Sequence, residues 1–246
     1  MNLKNQPRVL FIILIIYVII ATLTSVVTPI FEVYDEVWHY PLVEYLATHD
    51  LQLPEQDPTV LSPWRQEGSQ PPLYYLAAAI LTASIDTSDM EQLHRQNPLP
   101  QAGIAVPDGN PNIIVHHTDT EAFPWKGTTL AVHIVRFFSI LLGLGTILVT
   151  YQLAQEIFPN EPTIALGAAA LNAFLPMFIL ISASVNNDAL SNLLANLLLL
   201  QVVRLIKSSG IPNWHTYMWL GIITGAGLLS KLSLGLFIPI IAMALA

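Results

Sequence analysis

Apolar and polar positions are segregated along this chain on the scale of whole elements. Residues 9–28 form a run of twenty without a charge, which at about 1.5 Å per residue matches a hydrocarbon core of about 30 Å. Further apolar runs cover residues 132–154, 163–185, 190–206, 217–229 and 232–246. The pattern predicts an all-α integral membrane protein of about six transmembrane helices. The division is residues 1–28 (amino terminus and first span), 29–131 (a large polar loop) and 132–246 (a helix bundle). The last run stops without a polar flank, so the expectation is the N-terminal part of a longer membrane protein.

Composition and charge narrow the class. Of 246 residues, 53% are hydrophobic and 11% charged, less than half the roughly 25% of a soluble domain. The net charge of −8 argues against nucleic acid as a partner. With no cysteine there are no disulfides, thiolate metal sites or thiol nucleophiles. Lys4 and Arg8 precede the first run, which predicts a cytoplasmic amino terminus. A cleavable signal peptide is the competing reading. The run is longer than a signal core, rich in Ile, and ends at Thr28-Pro29 without a small-residue cleavage pattern, so an uncleaved anchor is expected.

The loop 29–131 carries fourteen acidic and three basic side chains, a net −11, and is expected outside the cytoplasm. One piece of it, residues 72–83, is apolar but only about twelve residues long, which suits an interfacial or re-entrant helix better than a span. Keeping that piece on one side leaves Arg204 and Lys207 inside, in line with the positive-inside bias. The stretch 96–124 lacks periodicity and reads as irregular backbone, with its clearest turn at 107–111.

Candidate chemistry gathers at the predicted outer surface. Asp35 and Glu36 sit just beyond the first span, followed by His39. Adjacent carboxylates at an interface repel and lose solvent, so at least one is expected to titrate high enough to act as a base. Pro41 leaves two possibilities: a helix running from the acidic pair, or one beginning at Pro41. An aromatic interfacial belt is the competing reading of this cluster. A second group is Gln66 to Tyr75, where Pro71-Pro72 opens a short helix; a plain capped amphipathic helix would look the same. Ser182, Ser184, Asn186, Asn187 and Asp188 form a third, with a cap of the helix starting at Ala189 as the competing reading of Asp188. Arg136 and Lys231 are charges inside or at the end of apolar runs, where they face a functional cavity or snorkel to the interface. His116-His117 lacks a third ligand at metal spacing, so no metal site is assigned.

Taken in order, these pieces resemble the GT-C superfamily of membrane glycosyltransferases. The pieces are Asp35-Glu36, then Gln70-Pro71-Pro72-Leu73-Tyr74-Tyr75, then Arg136-Phe137-Phe138-Ser139-Ile140-Leu141-Leu142-Gly143, then Asn187-Asp188-Ala189-Leu190 and Leu229-Ser230-Lys231. The likeness is to protein O-mannosyltransferase-like and lipid A aminoarabinose transferase-like proteins. It implies transfer of a sugar, with inversion, from a polyprenyl-phosphate carrier to an acceptor on the non-cytoplasmic side. It implies catalytic roles for Asp35 and Glu36, and substrate contacts from His39, Gln70, Tyr74, Arg136, Asp188 and Lys231. The position before the double proline is often basic in such families and is Gln70 here, so Arg136 and Lys231 become the expected phosphate holders. Some relatives use a divalent cation. The implied partners are a lipid-linked sugar donor and the bilayer, in a bacterial inner or plasma membrane at the cell envelope. A transporter or a non-catalytic membrane scaffold is the rival class.

Overall fold

In the computed structural model, which describes residues 6–33, 35–57, 59, 61–100, 112–208 and 213–245, the first apolar run is helix α1, Gln6–Val27. The predicted turn at 107–111 lies outside the described residues. Ile13, Tyr17, Ala21 and Ser25 recur every fourth position and form its buried stripe. The opposite face exposes Phe11, Ile12, Ile15, Ile19 and Leu23, a continuous apolar surface of the kind that faces lipid.

Between α1 and the next long helix lie α2 (Glu36–Thr48), a 3₁₀ turn (Arg65–Ser69), α3 (Leu73–Thr82), and the single turns α4 (Met90–Leu93) and α5 (Thr118–Glu121). Helix α2 starts at the acidic pair and continues through Pro41. Proline cannot donate to the carbonyl four residues back. That carbonyl, Val37 O, instead accepts a hydrogen bond from His94 Nε2 at 2.6 Å. A neighbouring side chain thus restores the bond that the proline removes. Phe31, Tyr40, Val43 and Leu46 pack with Tyr74, Tyr75 and Ala78 of α3 and with Val132 and Val135 of the following helix. The segment therefore has a core of its own, continuous with one end of the bundle.

That following helix, α6 (Gly127–Ile157), is capped from a distance. Asp89 Oδ1 accepts from Thr128 N at 2.9 Å and from Thr128 Oγ1 at 2.6 Å. Gly127 sits at φ +52, and a Cβ there would lie 2.3 Å from the Asp89 carboxylate, so glycine is required on both counts. Arg136, Ser139 and Gly143 fall on one buried face of α6. A Cβ on Gly143 would meet the Tyr17 hydroxyl at 2.0 Å and Ser182 Oγ at 2.7 Å, so the glycine is what lets its neighbours close in.

The predicted span 163–185 is broken. Helices α7 (Pro162–Ala173) and α8 (Pro176–Ser182) meet at a 62° bend. Pro176 disfavours helical geometry at the preceding residue, and Leu175 is extended, with ψ 117. Then come α9 (Asp188–Lys207), α10 (Trp214–Ser230), a second 3₁₀ turn (Leu232–Leu236) and α11 (Phe237–Leu245). Asp188 is a first-turn residue of α9 and not its cap, which is Asn187. Helices α1, α6 and α9 are long and apolar enough to cross a membrane; counted as one span, the bent α7–α8 pair is a fourth. Helix α10 has 17 residues, and the last predicted span divides into a 3₁₀ turn and a short helix. Among the described residues the only extended pairing is an isolated bridge between Gln96 and Ile114.

Helix ends sort into two groups. Arg136 near the start of α6 reaches the carbonyls that end α1, and Ser191 near the start of α9 bonds Ser230 at the end of α10, at 2.9 Å. At the other end, Glu156 of α6 accepts from Arg204 of α9, at 3.3 Å. At ten residues, about 15 Å, α3 is too short to run between the two groups, and Tyr74 near its start packs at the first.

Candidate functional site

The site lies at the first group of helix ends. Asp35 immediately precedes α2 with φ 66, in the left-handed region, and makes no side-chain capping bond. Left-handed geometry is uncommon for a residue with a side chain, and such positions cluster where function fixes the backbone. Its carboxylate is thus left free of the helix end. Asp188, at the start of α9, pairs with Lys231, the residue closing α10. Burial raises the Asp35 carboxyl above its ordinary value; the Asp188 charge raises it further and Lys231 opposes both. Three residues from three parts of the chain therefore act on one another at a single place.

A second set adjoins them. His39, one turn into α2, shares its Nδ1 with the Tyr75 hydroxyl at 2.7 Å. Tyr75 donates to Glu67 Oε2 at 3.2 Å, and the same oxygen lies 3.4 Å from His39 Nδ1. Glu67 comes from the 3₁₀ turn and is 4% exposed. Burial raises its carboxyl, against the hydrogen bonds from Tyr75 and Gln66. Burial pushes His39 down to about 4, so its ring is neutral at neutral pH.

Glu36 and Arg136 stand apart from this chemistry. Both side chains are fully buried and face each other, with Arg136 Nε donating to Glu36 Oε1 at 2.8 Å and Nη2 to Oε2. Arg136 Nη1 also donates to Ser25 O at 2.6 Å and Thr28 O at 2.8 Å, and Nη2 to Pro29 O at 3.0 Å. A cation at the carbonyl end of α1 suits the helix dipole. Glu36 additionally accepts from the backbone N–H of Phe31 at 2.9 Å and of Val185 at 2.8 Å. The pair ties together the exit of α1, the start of α2, α6 and the loop before α9. Neither the catalytic role expected of Glu36 nor the phosphate role expected of Arg136 fits side chains so fully engaged.

Of the other residues expected from sequence, Tyr74 is fully buried: its hydroxyl bonds Ser139 at 2.7 Å and accepts from Asn186 N at 3.1 Å. It props the loop before α9 against α6. Gln70 closes the 3₁₀ turn, its N–H donating to Glu67 O at 3.0 Å. The structure thus brings Asp35, His39, Asp188 and Lys231 together and assigns Glu36, Tyr74 and Arg136 to the frame around them. Glu67 and Tyr75 were not expected. Both lie in the Gln66–Tyr75 string, but which of two adjacent tyrosines faces α2 depends on how α3 docks. His116 bridges Glu32 and Glu121, and among the described residues no three His, Asp or Glu side chains converge where a metal ion could be held.

The residues from α6 onward supply the Asp188–Lys231 pair. Residues 130–246 match the family model of dolichyl-phosphate-mannose-protein mannosyltransferases. The GT-C resemblance is borne out over that stretch, which holds Arg136, Asp188 and Lys231; Asp35, Glu67 and Tyr75 precede it. No curated protein and no solved structure matches the chain.

Proposed function

We propose that this protein transfers a sugar from a polyprenyl-phosphate carrier to an acceptor hydroxyl at the non-cytoplasmic face, with six spans and the 29–131 segment outside. The observation that carries the reading is the Asp35 carboxylate, which makes no hydrogen bond among the described residues and feels the charges of the Asp188–Lys231 pair, at the end of the bundle where α2 and α3 dock. Asp35 takes the proton of the acceptor hydroxyl as its oxygen bonds to the anomeric carbon from one face. The bond from that carbon to the carrier phosphate breaks on the other, so the centre inverts and polyprenyl phosphate departs with the bonding electrons. Lys231 holds that phosphate and stabilises the charge it gains, while Asp188 orients the ammonium. Gln70 remains a neutral contact at the edge of the same site. The match of residues 130–246 to a family described by a lipid-phosphate mannose donor supports this class of donor.

The transporter reading draws on broken helices. The α7–α8 break is present, but the polar groups near it are uncharged and bonded to one another. Asn172 donates to Thr150 at 2.9 Å, and Thr150 to Asn196 at 3.2 Å. They join α6, α7 and α9 as interhelical glue.

The test is sugar transfer by the full-length protein in lipid, with a polyprenyl-phosphate mannose donor. Asp35→Asn keeps the size and removes the base, so turnover is expected to fall about 10²–10⁴-fold with the donor KM nearly unchanged. Lys231→Met is expected to raise the donor KM as well. Wild-type turnover in Asp35→Asn would remove Asp35 from the mechanism.

A further inference from the structure

The set formed by Glu67, Tyr75 and His39 has a direction. As a carboxylate, Glu67 can only accept a hydrogen bond. The Tyr75 hydroxyl has one proton, and at 3.2 Å from Glu67 Oε2 that proton is committed to the carboxylate. The Tyr75 oxygen then has only lone pairs to offer His39 Nδ1, 2.7 Å away, so Nδ1 must be the ring nitrogen that carries the proton. In a neutral imidazole this leaves Nε2 as a bare acceptor. Among the described residues Nε2 has no partner. The ring is held by near-parallel stacking on Tyr75, with centroids 5.8 Å apart and planes at 24°. Besides Glu67, whose Oε2 lies 3.4 Å from Nδ1, the charged groups acting on the ring are Asp188, Glu36 and Lys231, and Asp188 and Lys231 belong to the proposed reaction site.

We propose that Glu67 and Tyr75 are positioning residues that lock His39 in its Nδ1–H tautomer, so that Nε2 accepts a hydrogen bond from a substrate hydroxyl beside Asp35. The inference rests on the transferase reading for its ligand, but the tautomer itself does not. Asp35 serves the hydroxyl that reacts, and His39 receives one that does not. Both the donor sugar and the acceptor can offer such a group, and they share that chemistry. The arrangement also gives the Gln66–Tyr75 string a purpose. The 3₁₀ turn delivers Glu67 to one side of the α3 start, and Tyr75 bridges from it to α2.

Two measurements test this. The first needs no activity: ¹⁵N spectra of the histidine-labelled protein in nanodiscs at neutral pH, with the His39 signals identified as those missing from His39→Gln. Nδ1 is expected to show a protonated and Nε2 an unprotonated shift; the reverse overturns the proposal. The second is kinetic. Tyr75→Phe and Glu67→Gln are each expected to raise one KM about tenfold with a smaller change in kcat, the donor KM moving if the hydroxyl is the sugar's and the acceptor KM if it is the acceptor's. In a His39→Phe background both changes should add almost nothing, because all three act through Nε2. Independent, multiplicative losses would mean that Glu67 and Tyr75 only support the fold. A wild-type protein with the expected tautomer and no transfer would overturn the transferase reading and leave the lock standing.

Discussion

Asp35 and Glu36 are adjacent carboxylates whose backbone directs them to different surroundings. The left-handed turn at Asp35 leaves its carboxylate beside Asp188 and Lys231, while Glu36 enters the helix and points at Arg136. A buried ion pair contributes little net stability compared with a well-packed apolar pair, but removing one partner strands the other charge and typically costs about 3–5 kcal/mol. Glu36→Gln is therefore expected to lower the melting temperature of the detergent-solubilised protein sharply, and Asp35→Asn to leave it near the wild-type value. Activity lost in Glu36→Gln would then track the folded fraction. If Glu36→Gln melted like wild type yet transferred no sugar, Glu36 would belong to the chemistry after all. The sequence shows the acidic pair plainly, but assigning a role to each member requires the φ angle at Asp35, which no residue pattern encodes.

At the scale of elements, the stretch before α6 is pinned to the exit of α1 by charge. Glu32 accepts from the N–H groups of Ile113 at 2.9 Å and Ile114 at 3.0 Å, and from His116 Nε2 at 2.8 Å. His116 Nδ1 also reaches Glu121, at 2.8 Å. An imidazole between two carboxylates can donate from both nitrogens only when protonated. The bond to Glu32 raises the His116 value, burial opposes it, and Glu121 adds to the rise. For Glu32 burial acts upward, but the bonds from His116 and the two N–H groups outweigh it and hold the carboxyl low. A raised histidine stabilises the docked state fully below its ordinary pKa of about 6.5, and that stabilisation is lost as pH rises through the higher docked value. Hydrogen exchange at Ile113 and Ile114 is expected to accelerate over that range beyond the intrinsic base-catalysed increase, and His116→Gln to remove the extra dependence. Protection that follows only the intrinsic rate would show that the backbone bonds hold the stretch alone. Long apolar periodicity made α1, α6 and α9 legible in the sequence, and Pro71-Pro72 announced the short α3. The passage of α2 through Pro41 was not legible, because it depends on His94, more than fifty positions away, donating to Val37 O. The break before Pro176 carried a local signal that the apolar run around it masked.

For the molecule as a whole, the two groups of helix ends make a claim about sidedness. The acidic segment, the Asp35 site and the starts of α6 and α9 share one end; Arg204, Lys207 and Glu156 share the other, where Lys207 Nζ also donates to the Glu156 carbonyl. Basic residues gather on the cytoplasmic side. The basic end is therefore expected inside, and the site outside, where a lipid-linked donor could enter sideways between helices. This arrangement requires α3 to stay at the surface, because a crossing there would reverse every later helix. The chain has no cysteine, so single reporters can be introduced without background. Gln92 and Ser208 are exposed at opposite ends. In intact cells a membrane-impermeant maleimide is expected to label Gln92→Cys directly and Ser208→Cys only after permeabilisation. Labelling of Ser208→Cys in intact cells would place the basic end outside. The Asp35 site would then lie on the cytoplasmic face, and a lipid-linked donor presented on the other side of the membrane could not reach it.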